Sequence, residues 1–190
     1  MYNDVMTNKI IFLRHADTEK DSSIKSIKWG LSQIGKQQAK NILNDDVFSN
    51  VDIIISSEEE KSYLTALPLA EKLGIKIERS SYFNEVIRGD KFLSDEEFKL
   101  EKEKQLTDWN YEAYGGESGD QAAARFKKGI GIVSNEHHGK MILIVTHGTI
   151  LNMYFAEILN VHNTLFERWQ KTKFCAYGVV ADGEVIKDII

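Results

Sequence analysis

The chain has one cysteine, Cys175, so it can form no intrachain disulfide, and its thiol content does not point to an oxidising compartment. It has one proline, Pro68, and no Pro/Gly-rich stretch, so nothing reads as a linker between domains. No apolar run approaches the roughly 20 residues that a membrane-spanning helix requires. Met1 to Asn8 is polar and lacks the apolar core of a secretion signal. Positive charge is in deficit, with 24 Lys+Arg against 29 Asp+Glu and a net charge of −5, which argues against nucleic acid or an anionic membrane as the main partner. Internal repeats and low-complexity tracts are missing too, and no His, Cys, Asp or Glu grouping has metal-ligand spacing. The expectation from these absences is a cytoplasmic protein that works without metal, membrane or nucleic acid.

What remains is a chain of 190 residues, enough for one domain with a substantial core. Several apolar runs read as strands. Ile10-Ile11-Phe12-Leu13, Val51-Asp52-Ile53-Ile54-Ile55 and Met141-Ile142-Leu143-Ile144-Val145 are continuous rather than alternating, which suits strands buried on both faces of a mainly parallel sheet. Ala176 to Ala181 and Glu184 to Ile190 flank Asp182-Gly183, a hairpin signal. Helical spacing is found from Leu31-Ser32 to Leu43 and from Glu58 to Leu73, with Gly74 as a stop, and Pro68 predicts a kink or a late start in the second. Further helices are predicted over Asp95 to Leu106, Ser118 to Glu136 (Ser118 as N-cap) and Ile150 to Leu159. Strand and helix alternate throughout, so the class is α/β.

Three strands end in polar residues suited to phosphate: Arg14-His15, Ser56-Ser57 and Thr146-His147-Gly148. Ligands of open α/β sheets bind outside the carboxyl ends of the strands, so these distant positions converge on one site. Each dipeptide alone proves little.

In order and context, these segments resemble the histidine phosphatase superfamily, the group that includes cofactor-dependent phosphoglycerate mutases. Ile10 to Thr18 is similar to the segment carrying that family's nucleophilic histidine. Leu31 to Ala39 is similar to its second block, and Ile55-Ser56-Ser57 through Leu64-Thr65-Ala66 to its third. Asn84-Glu85-Val86 stands where the family supplies an acid, Gly115-Gly116-Glu117-Ser118 resembles the turn before a long helix, and Val145 to Gly148 the final histidine block. The resemblance departs at Ala16 (usually glycine), at Glu58 (usually proline), at Asp21 (often asparagine) and at Lys61, which stands where the family carries an arginine.

The resemblance implies a phosphoglycerate mutase-like three-layer α/β/α fold with a mainly parallel central sheet. It covers residues 1–190 as one domain, with a variable specificity segment over about 86–114. It implies hydrolysis of a small phosphorylated metabolite, with no cofactor, through a phosphohistidine on His15, whose other ring nitrogen is held by a backbone carbonyl. Arg14 would grip phosphate oxygens with its planar fork, joined by Lys61, Thr18, His147 and Gly148. His147, if protonated, adds charge where it develops, and Glu85, its pKa raised by partial burial, protonates the leaving oxygen. Arg88 is a candidate for the fork that Lys61 lacks, and Trp29, Trp109, Tyr111 and Tyr114 are candidates for the non-phosphate half of the substrate. Two other functions fit the same residues: mutase-type phosphoryl transfer, and a phosphate-ligand binding or regulatory protein with little catalysis. Neither the substrate nor the oligomeric state is legible.

Overall fold

A computed structural model describes residues 8–89 and 92–190. Most of the polar N-terminal segment, and residues 90 and 91 of the specificity segment, lie outside the described residues. The three continuous apolar runs form β1 (Lys9–Arg14), β2 (Ile53–Ser56) and, later in the chain, β4 (Met141–Thr146). With β3 (Ile77–Arg79) they are parallel, and β5 (Tyr177–Ala181) and β6 (Glu184–Lys187) add an antiparallel edge. The strand order is β3-β2-β4-β1-β5-β6. The β5–β6 hairpin turns through Asp182 and Gly183, both left-handed at φ 55° and 78°, as a tight two-residue turn requires.

The continuous runs serve two cores because successive strand side chains point to opposite faces. Ile10 and Phe12 of β1, with Ile142 and Ile144 of β4, pack on one side; Ile11, Leu13, Leu143 and Val145 pack on the other. The first side is covered by α4 (Gly119–Glu136) through Ala122, Phe126 and Val133, and by α5 (Gly148–Leu159) through Ile150, Leu151 and Phe155. The second is covered by α2 (Glu60–Leu73), through Ala66, Leu69 and Ala70, with α1 (Gln33–Asn41) packed beside it. The result is the expected three-layer, mainly parallel arrangement.

Three local expectations need revision. Pro68 neither delays nor divides α2, which runs continuously from Glu60. β3 and α6 (Leu165–Lys171) were not predicted, being too short to carry a periodic pattern. The first predicted helix ends at Asn41 and continues only as a 3-10 turn over Ile42–Asn44. Ser118 does cap α4, within a capping box completed by Gln121. No helix among the described residues is long and apolar enough to cross a membrane.

Candidate active site

The parallel register sets the site. Arg14 pairs with Thr146 and Ser56 with Val145, so the residues after β1, β2 and β4 emerge at one sheet end. Beyond them opens a cavity of about 400 Å³, lined by Arg14, His15, Thr18, Lys61, Glu85, His147 and Gly148 among others. The residues assigned to the nucleophile, the acid and the phosphate contacts in the sequence (Arg14, His15, Thr18, Lys61, Glu85, His147 and Gly148) all line this one cavity. Arg14, Lys20, Lys25, Lys61, Arg88 and Lys102 line the cavity against two carboxylates, Glu59 and Glu85. An acidic protein thus carries a locally cationic pocket, the potential that gathers a small anion.

His15 is anchored at both ends. Its backbone N–H donates to the Thr146 carbonyl at 2.8 Å, and its Nδ1 lies 2.8 Å from the Ala16 carbonyl oxygen. A carbonyl only accepts, so Nδ1 carries the hydrogen and Nε2 is the basic nitrogen of the neutral ring. Burial, then the neighbouring His147, Lys61 and Arg14, hold the His15 pKa well below its ordinary value. At neutral pH the ring is uncharged.

Arg14 donates to the Thr172 carbonyl, and its guanidinium carbon stands 4.4 Å from the Phe174 ring centre. Its buried Nε has no partner among the described residues. A Cβ at Gly148 would come within 2.9 Å of that Nε, so glycine at the start of α5 keeps the guanidinium in place.

His147 precedes α5, 5.1 Å from His15 between ring centres. Its Nε2 meets Ser57 Oγ at 2.8 Å, Ser62 Oγ at 3.3 Å and Glu59 Oε1 at 3.2 Å, while its buried Nδ1 has no partner among the described residues. Burial and Lys61 hold its pKa well below the ordinary range, against the pull of Glu85. In this state the ring is neutral, not the imidazolium considered in the sequence reading.

Glu85 differs most from expectation. Its Oε1 accepts the N–H groups of Val86 (2.9 Å) and Ile150 (3.1 Å), and its Oε2 that of Thr149 (3.0 Å), so the carboxylate sits on the N-terminus of α5. Burial pushes its pKa up, but the charge of Lys102 and the N–H groups of Val86 and Thr149 outweigh burial and lower it from 4.5 to about 2. A raised pKa, expected from burial, does not hold in this state.

Several members were not read from the sequence. Glu59, 7% exposed, is ion-paired with the equally buried Lys61, whose Nζ also donates to the Ser26 carbonyl at 3.1 Å. Lys102, 3% exposed, donates to Gln105 Oε1 at 2.8 Å. Arg125 donates through Nη1 to the carbonyls of Ser81, Tyr82 and Asn84 and through Nη2 to that of Glu85, and is ion-paired with Glu117, so α4 fixes the loop bearing the acid. Lys102 and Arg125 neither follow a strand nor fall in a short motif, which is why periodicity and spacing did not find them; Glu59 falls in the third block, but nothing in the sequence distinguishes it from Glu58 and Glu60 beside it. Of the four aromatic candidates only Trp29 lines the cavity, alongside Phe98, Trp169 and Phe174. Trp109 packs on His162, and Tyr111 donates to Glu101. Arg88 lines the cavity with its guanidinium 5.3 Å from the Phe98 ring.

The chain belongs to the histidine phosphatase superfamily, branch 1, whose profile matches residues 10–187. It is 26% identical to phosphoserine phosphatase 1 of Hydrogenobacter thermophilus, over 83% of this chain and 79% of that one. Its fold matches that of a mycobacterial glucosyl-3-phosphoglycerate phosphatase with a TM-score of 0.77 at 16% identity, over 96% of this chain and 98% of the other. It likewise matches an Entamoeba histolytica phosphoserine phosphatase variant in complex with phosphoserine, with a TM-score of 0.74 at 19% identity, over 95% and 94% of the two chains.

Proposed function

We propose that this protein is a phosphatase that hydrolyses a small phosphomonoester through a phosphohistidine on His15. The observation that carries the reading is the Nδ1–Ala16 carbonyl bond, which makes Nε2 the basic nitrogen of an uncharged ring in a cation-lined cavity. In the first step the Nε2 lone pair forms a bond to phosphorus and the bond to the leaving oxygen breaks. In the second, water attacks phosphorus and the N–P bond breaks, releasing inorganic phosphate. Arg14, Lys61 and His147 hold the phosphoryl oxygens, with Thr18 and Gly148 beside them.

Glu85 is the proton donor in this reading, although it rests as a carboxylate. An arriving phosphoryl group places like charge beside it and shifts its pKa upward, towards the protonated form that the leaving oxygen requires. The leaving group occupies the side of the cavity made by Trp29, Phe98 and Trp169. Relatives named as phosphoserine and glucosyl-3-phosphoglycerate phosphatases support a phosphorylated metabolite as substrate. The chain is read as one catalytic domain, with residues 86–114 shaping specificity. Arg88, Phe98 and Lys102 of that segment line the cavity.

The test is phosphate release across a panel of phosphorylated metabolites, with His15→Ala as the blank. Phosphoserine, p-nitrophenyl phosphate and 3-phosphoglycerate are run side by side. His15-dependent release is the expected result; isomerisation of 3-phosphoglycerate with little release supports a mutase instead. A binding protein with little catalysis is the second reading, because Lys61 already has a carboxylate partner. Tight phosphate binding without His15-dependent turnover would decide for it.

A further inference from the structure

A carboxylate lies among the groups assigned to the phosphate. Glu59 precedes α2, is 7% exposed and forms part of the cavity wall. Its Oε1 accepts the backbone N–H of Glu85 at 2.9 Å and lies 3.2 Å from His147 Nε2; its Oε2 is ion-paired with Lys61. Two of the groups that would hold phosphoryl oxygens therefore already face an oxygen anion of the protein. A carboxylate and a phosphoryl group are both acceptors and compete for these donors, and in a buried setting they also repel each other. The ion pair with Lys61 has no evident merit for stability alone, since burying two charges largely cancels their attraction.

Taking the phosphatase reading as its basis, we propose that Glu59 sets the phosphate affinity of the site, as an internal anion that a phosphoryl group must displace from Lys61 and His147. The site then holds phosphate loosely and releases the product readily. The same acid offsets the charge of Lys61, so the cost of replacing the family's arginine lies in a cation already engaged as well as in the lost fork.

Glu59→Gln keeps the size and an acceptor oxygen for the Glu85 N–H but removes the charge. Titration calorimetry of the full chain with inorganic phosphate reads affinity without turnover. The expected result is a Kd lowered about tenfold or more, the scale of one charge-assisted hydrogen bond. KM for a phosphomonoester falls with it, and kcat does not rise. In a Lys61→Met background the gain from Glu59→Gln shrinks, because one of the released donors is gone. Glu59→Asp, whose shorter arm withdraws the carboxylate, tightens phosphate by a smaller factor and serves if the glutamine variant does not fold. Unchanged or weaker phosphate binding in folded variants overturns the proposal. If His15-dependent hydrolysis persists in that case, the phosphatase reading survives it; if hydrolysis is absent as well, both fall.

Discussion

Glu85 shows how several weak contacts set the state of one residue. The charge of Lys102 and the backbone N–H groups of Val86 and Thr149 outweigh burial and keep the carboxyl ionised, with a pKa lowered from 4.5 to about 2. The linkage has a definite sign. A carboxyl that ionises more readily in the folded state stabilises the fold fully above about pH 4.5 and loses that contribution as pH falls towards 2. The amount is about 3 kcal/mol for this shift. His15 and His147 act in the same direction at higher pH. Their folded pKa values lie well below 6.5, so below about pH 6.5 the unfolded chain takes up protons that the folded chain refuses. Urea unfolding at successive pH values is expected to show stability declining below 6.5 and again below 4.5. In Glu85→Gln the decline below 4.5 is shallower than in wild type, the remainder belonging to the histidines and to Asp21, Asp52 and Asp95, whose pKa values are also lowered; a variant curve that runs parallel to wild type down to pH 3 contradicts the assignment.

At the scale of elements, the loop bearing Glu85 is held from two sides. Thr146 of β4 donates its hydroxyl to the Phe83 carbonyl at 2.6 Å, and Arg125 of α4 binds four carbonyls of residues 81–85. Arg125→Ala therefore removes charge-assisted bonds and leaves carbonyls to find water. We expect a stability loss of about 2–3 kcal/mol in urea unfolding and a lowered kcat, with phosphate affinity nearly unchanged because Arg125 does not line the cavity. Loss of phosphate binding in step with kcat would show that Arg125 acts beyond this loop. The elements also show what can be read from sequence. β1, β2 and β4 were legible because strands buried on both faces need continuous apolar runs, and Arg14, His15 and His147 because they stand directly after such runs. Lys61 and Glu85 were found by their place in ordered blocks. β3, with only Ile77 apolar, and the seven-residue α6 offered no pattern. Glu59, Lys102 and Arg125 gain meaning only once the fold carries them to the cavity or to the loop that bears Glu85, and in a chain with 29 acids and 24 bases composition cannot single them out.

For the molecule as a whole, the contrast is between net charge and local charge. The chain is acidic overall, yet the strand ends gather cations around one uncharged histidine. That arrangement follows from strand order: β4 lies between β1 and β2, so His15, His147 and the Ser57 hydroxyl beside it come from three neighbouring strands. Rapid-quench labelling with a substrate carrying radioactive phosphorus, avoiding acid, tests the central claim most directly. The account predicts an acid-labile protein-bound phosphate during turnover, present in wild type and in His147→Ala but missing in His15→Ala. Steady phosphate release with no label, or a label that survives in His15→Ala, contradicts it.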